Sequence, residues 1–334
     1  MTALQVIDSH FHWFPRSLFE RLCDQPGYPR AERTEEGYRY FYDNGRSSAK
    51  MSPVWLDLDR GLEASDQVTG EGTVVIGTTG VLAGLLEQLP REVAKELAVE
   101  YNEELAAAQR RHPGRFYGTG YVPLLDTGDA LEVTEHAVKH LGLVGVNLPS
   151  VAGSRLVDDP EFDAFYGRVA ELGVPLVVHP TDYVYEGQFP GYDHAIFLTI
   201  GRLLDSSMSV LRLVFSGVLE RHPELKVVHT HAGGLLPYQA GRIDKNVYRS
   251  AQITGLPGVP SDYLHQLYVD TVAPQALTIR TALEFYGSGQ VLYGTDYPCW
   301  SPQKAYEVIG EAQLETAARE GILRHNAARI FPIM

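Results

Sequence analysis

The stretch "VPLVVHP", residues 174–180, is a short β-branched run that ends on a histidine and is flanked by prolines. A run of that length suits a buried strand better than a helix, and the prolines keep it short. Runs of the same kind recur: "TVVIGTT" at 73–79, "RFYGTGYVP" at 115–123, "LVGVNLPS" at 143–150, "LKVVHTHAGG" at 225–234, "LYVDTVA" at 267–273 and "VLYGTDYP" at 291–298. With "VIDSHFHWFP" at 6–15 they make eight. Between them lie stretches such as "REVAKELAVEYNEELAAAQRRH", whose apolar residues recur at spacings of three and four, as on one face of a helix. Alternating β and α elements imply a parallel sheet, and eight units predict a closed (β/α)8 TIM barrel of class α/β more than an open sheet. No Gly-x-Gly-x-x-Gly or phosphate-loop motif follows any strand, which argues against a nucleotide-binding fold.

The 334 residues suit one barrel domain spanning 1–334. Residues 13–54 interrupt the alternation. There "YRYFYDNGRSS" alternates aromatic and polar residues into Asp43-Asn44-Gly45, a hairpin signal, so this stretch is expected to be a small β element inserted after strand 1. Net charge is −14, without a Lys/Arg cluster, and such a field repels phosphate backbones and anionic membrane surfaces. Neither nucleic acid nor membrane is an expected partner. An anionic substrate would therefore need local positive charge from a metal or an arginine. No apolar run approaches a membrane span, and "MTALQVIDSH" lacks a basic region followed by an apolar stretch. Two cysteines, Cys23 and Cys299, are too few for a disulfide framework, so a reducing cytoplasm is the expected compartment.

In a barrel of this kind chemistry sits at the C-terminal ends of the strands. His10 and His12 end strand 1, His179 ends strand 5, His229 and His231 end strand 6, and Asp296 ends strand 8. Two-residue spacing places His10 and His12 on one face with Phe11 on the other. Each residue alone has a structural explanation. Side chains from four strands aimed into one mouth are costly to bury unless an ion or a hydrogen-bond network satisfies them, and a metal site is the simplest account.

At this point the motifs "DSHFH", "VVHP", "HAGG" and "YGTDYP", followed by "HNAARIF", make the chain resemble the metal-dependent amidohydrolase superfamily. More narrowly it resembles the branch of 2-amino-3-carboxymuconate 6-semialdehyde decarboxylase. The resemblance runs in order along nearly the whole chain. It implies a (β/α)8 barrel with a β insertion after strand 1, metal ligands His10, His12, His179 and Asp296, and His231 as the catalytic histidine, with Asp296 also moving protons. His229 is an extra that the motif does not require, a candidate either for supporting the ligands from behind or for substrate contact. Strand 4 carries Asn147 where dinuclear relatives place a carboxylated lysine, so one divalent ion is expected, Zn²⁺ or else Mn²⁺.

The implied activity is non-oxidative decarboxylation of a small unsaturated or aromatic carboxylic acid. Hydrolysis or hydration of a lactone, amide or activated double bond by the same site is the alternative. Arg242 lies where the decarboxylase pattern has a substrate arginine contributed by a neighbouring subunit, which implies a homo-oligomer, a dimer or larger. Its other explanation is an ion pair with Asp244. Trp13 and Trp300 are expected to form an aromatic wall around a planar carboxylate substrate, or to pack the insertion onto the barrel.

Overall fold

The computed structural model describes residues 5–43, 47–80, 82–152, 155–181, 191–247, 256–273 and 275–333. Strand β1 (Ile7–Phe11) is followed by β2 (Arg30–Thr34), β3 (Gly37–Phe41) and β4 (Ser47–Met51), which pair antiparallel as a separate three-stranded sheet. Then come β5 (Val74–Gly77), β6 (Phe116–Tyr121), β7 (Gly145–Pro149), the small hairpin β8 (Val151–Ala152) and β9 (Arg155–Leu156), β10 (Leu176–His179), β11 (Val227–His229), β12 (Tyr268–Asp270) and β13 (Val291–Leu292). Eight of these pair in parallel in the order β1-β5-β6-β7-β10-β11-β12-β13, the expected alternation of strand and helix. The hairpin turn expected at Asn44-Gly45 lies outside the described residues, although β3 and β4 on either side of it do pair antiparallel.

Backbone bonds join the last strand to the first. Ser9 N–H donates to Tyr293 O, His12 N–H to Tyr297 O and Asp296 N–H to His10 O, each at 2.8 Å. The barrel is thereby closed along the seam that carries three of the expected metal ligands.

Inside, Ile7, Val74, Ile76, Tyr117, Val144, Val177, Val228 and Leu292 fill the N-terminal half of the barrel, and Ala327, Ile330 and Phe331 plug that end from the C-terminal helix Asn326–Ile330. Burying the Ile330 and Phe331 side chains contributes roughly 1.5–3 kcal/mol each. Val178, Val269 and Tyr293 face outward into the larger shell between strands and helices. Strand parity thus sends His179 and Asp270 inward at the opposite, C-terminal mouth, and Asp296 joins them from the turn after β13.

β1 reaches the same result differently. Ile7 belongs to the interior and Phe11 to the outer shell, which strict alternation forbids. The register explains it: Asp8 pairs with Val75 but Phe11 with Gly77, so β1 carries one extra residue between them. That bulge flips the strand, turning His10 and His12 into the mouth. Phe11 instead stacks on Tyr297 at 5.1 Å, and a Cβ on Gly61 would lie 2.5 Å from its ring.

Among the described residues no helix is long and apolar enough to cross a membrane. One buried acid stands apart from the mouth. Glu87 is 2% exposed, accepts from the Tyr121 hydroxyl (3.1 Å) and Leu124 N–H (3.0 Å) with one oxygen, and leaves the other without a hydrogen-bond partner. Burial pushes its carboxyl up to about 8. A folded value above the unfolded one means that its contribution is fully present below about 4.5 and is lost as pH rises through about 8. Glu87→Gln keeps an acceptor for both donors and removes the charge. Its unfolding free energy should match the parent's near pH 5 and exceed it by roughly 2–5 kcal/mol at pH 9, as read from denaturant melts at the two pH values.

Candidate metal centre

His10, His12, His179 and Asp296 each place one ligand atom within 4.8 Å of the others, and all four are buried. What surrounds them decides which atoms carry protons. His10 Nδ1 lies 2.7 Å from Asp270 Oδ2, a pure acceptor when ionised. His12 Nδ1 lies 3.2 Å from the Thr78 carbonyl, and His179 Nδ1 lies 2.8 Å from the Pro180 carbonyl. Each Nδ1 therefore carries the hydrogen, and each Nε2 presents a lone pair.

These lone pairs converge. His10 Nε2 is 3.2 Å from His12 Nε2 and 3.4 Å from Asp296 Oδ1, and His12 Nε2 is 2.8 Å from that same oxygen. His179 Nε2 is buried with no hydrogen-bond partner. Three imidazole acceptors thus face a carboxylate with no proton assigned between them. Burial lowers His12 and, further, His179, which keeps both as neutral bases. Burial alone would raise Asp296, but His10 and His12 beside it hold its carboxyl well below the usual range. Three imidazole Nε2 atoms around one carboxylate are a donor set for a divalent cation, and the residues present fit one.

The supports come from neighbouring strands. Asp8 on β1 accepts from Thr295 Oγ1 (2.6 Å), Thr295 N–H (3.0 Å) and His10 N–H (3.1 Å), which anchors the residue before Asp296. Burial pushes Asp8 up to about 7 against these bonds. Asp296 sits at φ 57°, and His231 and Ala232 at 58° and 53°; these left-handed backbones aim His231 into the mouth after β11 has ended. His231 Nε2 stands 3.7 Å from Asp296 Oδ2, its Nδ1 3.1 Å from Thr230 Oγ1, and its side chain is 11% exposed. It lies on the solvent side of the cluster. Asn147, where a bridging lysine would stand, donates its amide to Thr119 O and Gly120 O and ties β7 to β6.

Other expected contacts lie elsewhere. Val228 faces the interior, so His229 faces out; its Nε2 meets Ser206 Oγ at 3.1 Å on helix Arg202–Phe215, and burial lowers it to about 3. The expectation of a substrate contact from His229 is corrected accordingly. Trp13 also faces the outer shell, edge-on to Phe116 at 5.7 Å, because it follows the inward His12 by one residue. It is a packing residue. The tryptophan beside the cluster is Trp55, from the turn Pro53–Trp55, stacked at 6.0 Å on His12 and at 5.8 Å on the buried Phe14. Trp300 is 46% exposed on a rim groove shared with Arg60, Tyr297 and Cys299. Arg242 is exposed on helix Leu236–Val247, outside its own chain's cluster. No described carboxylate pairs with it, since Asp244 is taken by Ser261. His194, in the stretch "GYDHAIFL" between strands 5 and 6, is a further histidine whose sequence position suggests an approach to the mouth; its side chain lies outside the described residues.

Asp270 is the acid that sequence reasoning passed over. It ends β12 in "LYVDTVA", in the same strand-end position as His179 on β10, and that shared position was the available signal. Burial pushes its carboxyl up, but the hydrogen bond and charge of His10 hold it below the usual value.

A closed parallel barrel with three imidazoles and a carboxylate converging at its C-terminal mouth defines the class: a metal-binding (β/α)8 enzyme. The chain belongs to the Amidohydrolase family, whose sequence pattern matches residues 7–333. It is 26% identical over 226 residues to 2-amino-3-carboxymuconate-6-semialdehyde decarboxylase of Dictyostelium discoideum, a match covering 67% of this chain and 62% of that protein's length. It is 29% identical over 258 residues to gamma-resorcylate decarboxylase of a Rhizobium species, covering 73% and 78%. In fold it matches the dihydroxybenzoic acid decarboxylase of a Polaromonas species, crystallised with manganese and 2-nitroresorcinol, with a TM-score of 0.76 at 23% identity over 98% of this chain and 96% of that one.

Gly80 tests the fit of His12. It has φ +56°, and a Cβ there would lie 2.7 Å from His12 Cε1 and 2.9 Å from Nδ1. Gly80→Ala should displace the ring and weaken divalent-ion binding about tenfold, measured by competition with a chelator, while far-UV circular dichroism stays unchanged.

Proposed function

We propose that this chain is a metal-dependent, non-oxidative decarboxylase of a small aromatic or unsaturated carboxylic acid. The observation that carries the reading is the convergence of three buried Nε2 atoms on the Asp296 carboxylate, an arrangement that a divalent cation would satisfy. The decarboxylase relatives support the reaction class. His10, His12, His179 and Asp296 would hold one divalent ion. Zn²⁺ suits three nitrogens and a carboxylate; Mn²⁺, bound by the structural neighbour, suits a site to which substrate oxygens add. When bound, the ion supplies Lewis acidity, drawing electron density from a substrate oxygen next to the reacting carbon.

The chain's own groups handle the proton and the fit. Asp296 Oδ2 and His231 Nε2, 3.7 Å apart, form a pair able to pass a proton to the carbon that bears the carboxylate. Once that carbon is protonated, its bond to the carboxylate breaks, CO2 leaves, and the bonding electrons restore the π system. No oxidant is consumed. Trp55 gives a planar substrate a face to lie on, with Trp300 at the rim. Arg242 would reach the carboxylate from a second copy of the chain. Met208 (43% exposed), Leu211, Phe215 and Ile243 line an apolar groove beside it on which such a copy would dock. A reducing compartment, the cytoplasm, suits the two free cysteines.

Two experiments test this. CO2 release is measured from hydroxybenzoates and muconate-type acids, alongside ring opening of lactones by the same preparation. Decarboxylation that falls about 10²–10⁴-fold in Asp296→Ala supports the reading. Lactone opening without CO2 release would replace it with hydrolysis. Replacing His10 and His12 together should abolish stoichiometric metal, read by elemental analysis, with the fold retained; one tightly held ion in that variant would overturn the ligand assignment.

A further inference from the structure

Asp270 uses both oxygens, and the two sides lead to different parts of the mouth. Oδ2 takes His10 Nδ1–H at 2.7 Å. Oδ1 takes Ala232 N–H and Val272 N–H, each at 3.0 Å. Ala232 follows His231 in the left-handed turn, at φ 53° and ψ 30°, a conformation unfavourable for a residue with a Cβ unless the surroundings hold it. The whole side chain is 1% exposed, so no water can substitute for either oxygen without opening the core.

We propose that Asp270 is a positioning residue that couples the metal ligand His10 to the catalytic turn of His231 through one carboxylate. The proposal rests on the metal-site reading above. All three groups facing Asp270 are N–H donors, so both of its oxygens must accept. Asparagine, with the same shape, cannot meet that demand. With its NH2 toward His10 it would donate to Nδ1, move the ring hydrogen to Nε2 and block the atom that faces the ion. With its NH2 toward the backbone it would set donor against donor at Ala232 and Val272, releasing the turn. Either orientation damages one arm, and exchange between the two would damage both in part.

The test uses the full chain loaded with Zn²⁺ or Mn²⁺. Asp270→Asn should bind the ion about 10–100-fold more weakly in chelator competition. At saturating metal its kcat should still be reduced with KM little changed. In a His231→Ala background Asp270→Asn should cost no further kcat, since the turn then carries nothing to position. ¹⁵N spectra of the ring nitrogens should show His10 as the Nδ1–H tautomer in the parent and mixed or inverted in the variant. A purely structural role would lower the unfolding midpoint without changing the tautomer.

Metal affinity and tautomer equal to the parent's in Asp270→Asn would overturn the proposal, as would additive kcat losses in the double variant. If the variant does not fold, the parent alone still decides: a His10 ring protonated at Nε2 in the metal-free protein, or ligating through Nδ1 in the loaded one, overturns it. A parent that takes up no ion at all overturns the metal-site reading instead, so the two failures are distinguishable.

Discussion

Three imidazole lone pairs aimed at one carboxylate are mutually repulsive, and the rest of the mouth is arranged to keep them aimed there. Each ring is locked from behind: His10 by Asp270, His12 by the Thr78 carbonyl and His179 by the Pro180 carbonyl. Locking the hydrogen on Nδ1 costs the folded chain the option of relieving the repulsion by a change of tautomer. In a dry interior that option would otherwise be taken, because one proton between His12 Nε2 and Asp296 Oδ1, 2.8 Å apart, makes an ordinary hydrogen bond. The arrangement is therefore a preorganised ligand set, with the cost of ordering its side chains met during folding rather than at binding.

The same residues close the barrel. Asp296 N–H donates to the His10 carbonyl, and Asp8 on β1 holds Thr295 through its backbone and hydroxyl, so the first and last strands meet through residues adjacent to the ligands. Ligand geometry and barrel closure cannot vary independently. This explains the bulge in β1: one extra residue between Asp8 and Phe11 lets Ile7 fill the interior while His10 and His12 still face inward higher up the same strand. Without it, either the interior or the mouth would lose its side chains to the outer shell.

The parts legible in the sequence were those set by local pattern. Eight β-branched runs separated by helical periodicity gave the barrel, and polar residues at the run ends marked the mouth, because strand parity past an apolar interior leaves few orientations for His179. What escaped depended on parity changes or on folding-over. His229 looked equivalent to His231, but β11 ends at His229 and a left-handed turn reorients only the second histidine. Trp13 looked adjacent to the site because it follows His12, and adjacency along a strand means the opposite face. Trp55 was invisible as a site residue because the segment carrying β2–β4 returns it over His12 from more than forty positions away. Asp270 could have been found by applying the strand-end rule to every strand rather than to histidines first.

Charge within the proposed site limits how a substrate can be held. Asp296 and Asp270 are both ionised and the imidazoles are neutral once an ion is bound, so a divalent cation brings the buried centre only to neutrality. A neutral centre in a chain of net charge −14 does not draw a carboxylate from water. The desolvation of that carboxylate must be offset by direct contacts. Among the described residues no lysine or arginine forms an ion pair with the cluster. Among the described residues a single copy therefore offers a cation site, the His231–Asp296 pair and an aromatic face, with no second cation at the cluster. Arg242, exposed beside an apolar surface and without a carboxylate partner among the described residues, is the group whose placement makes sense if two copies complete one another's sites.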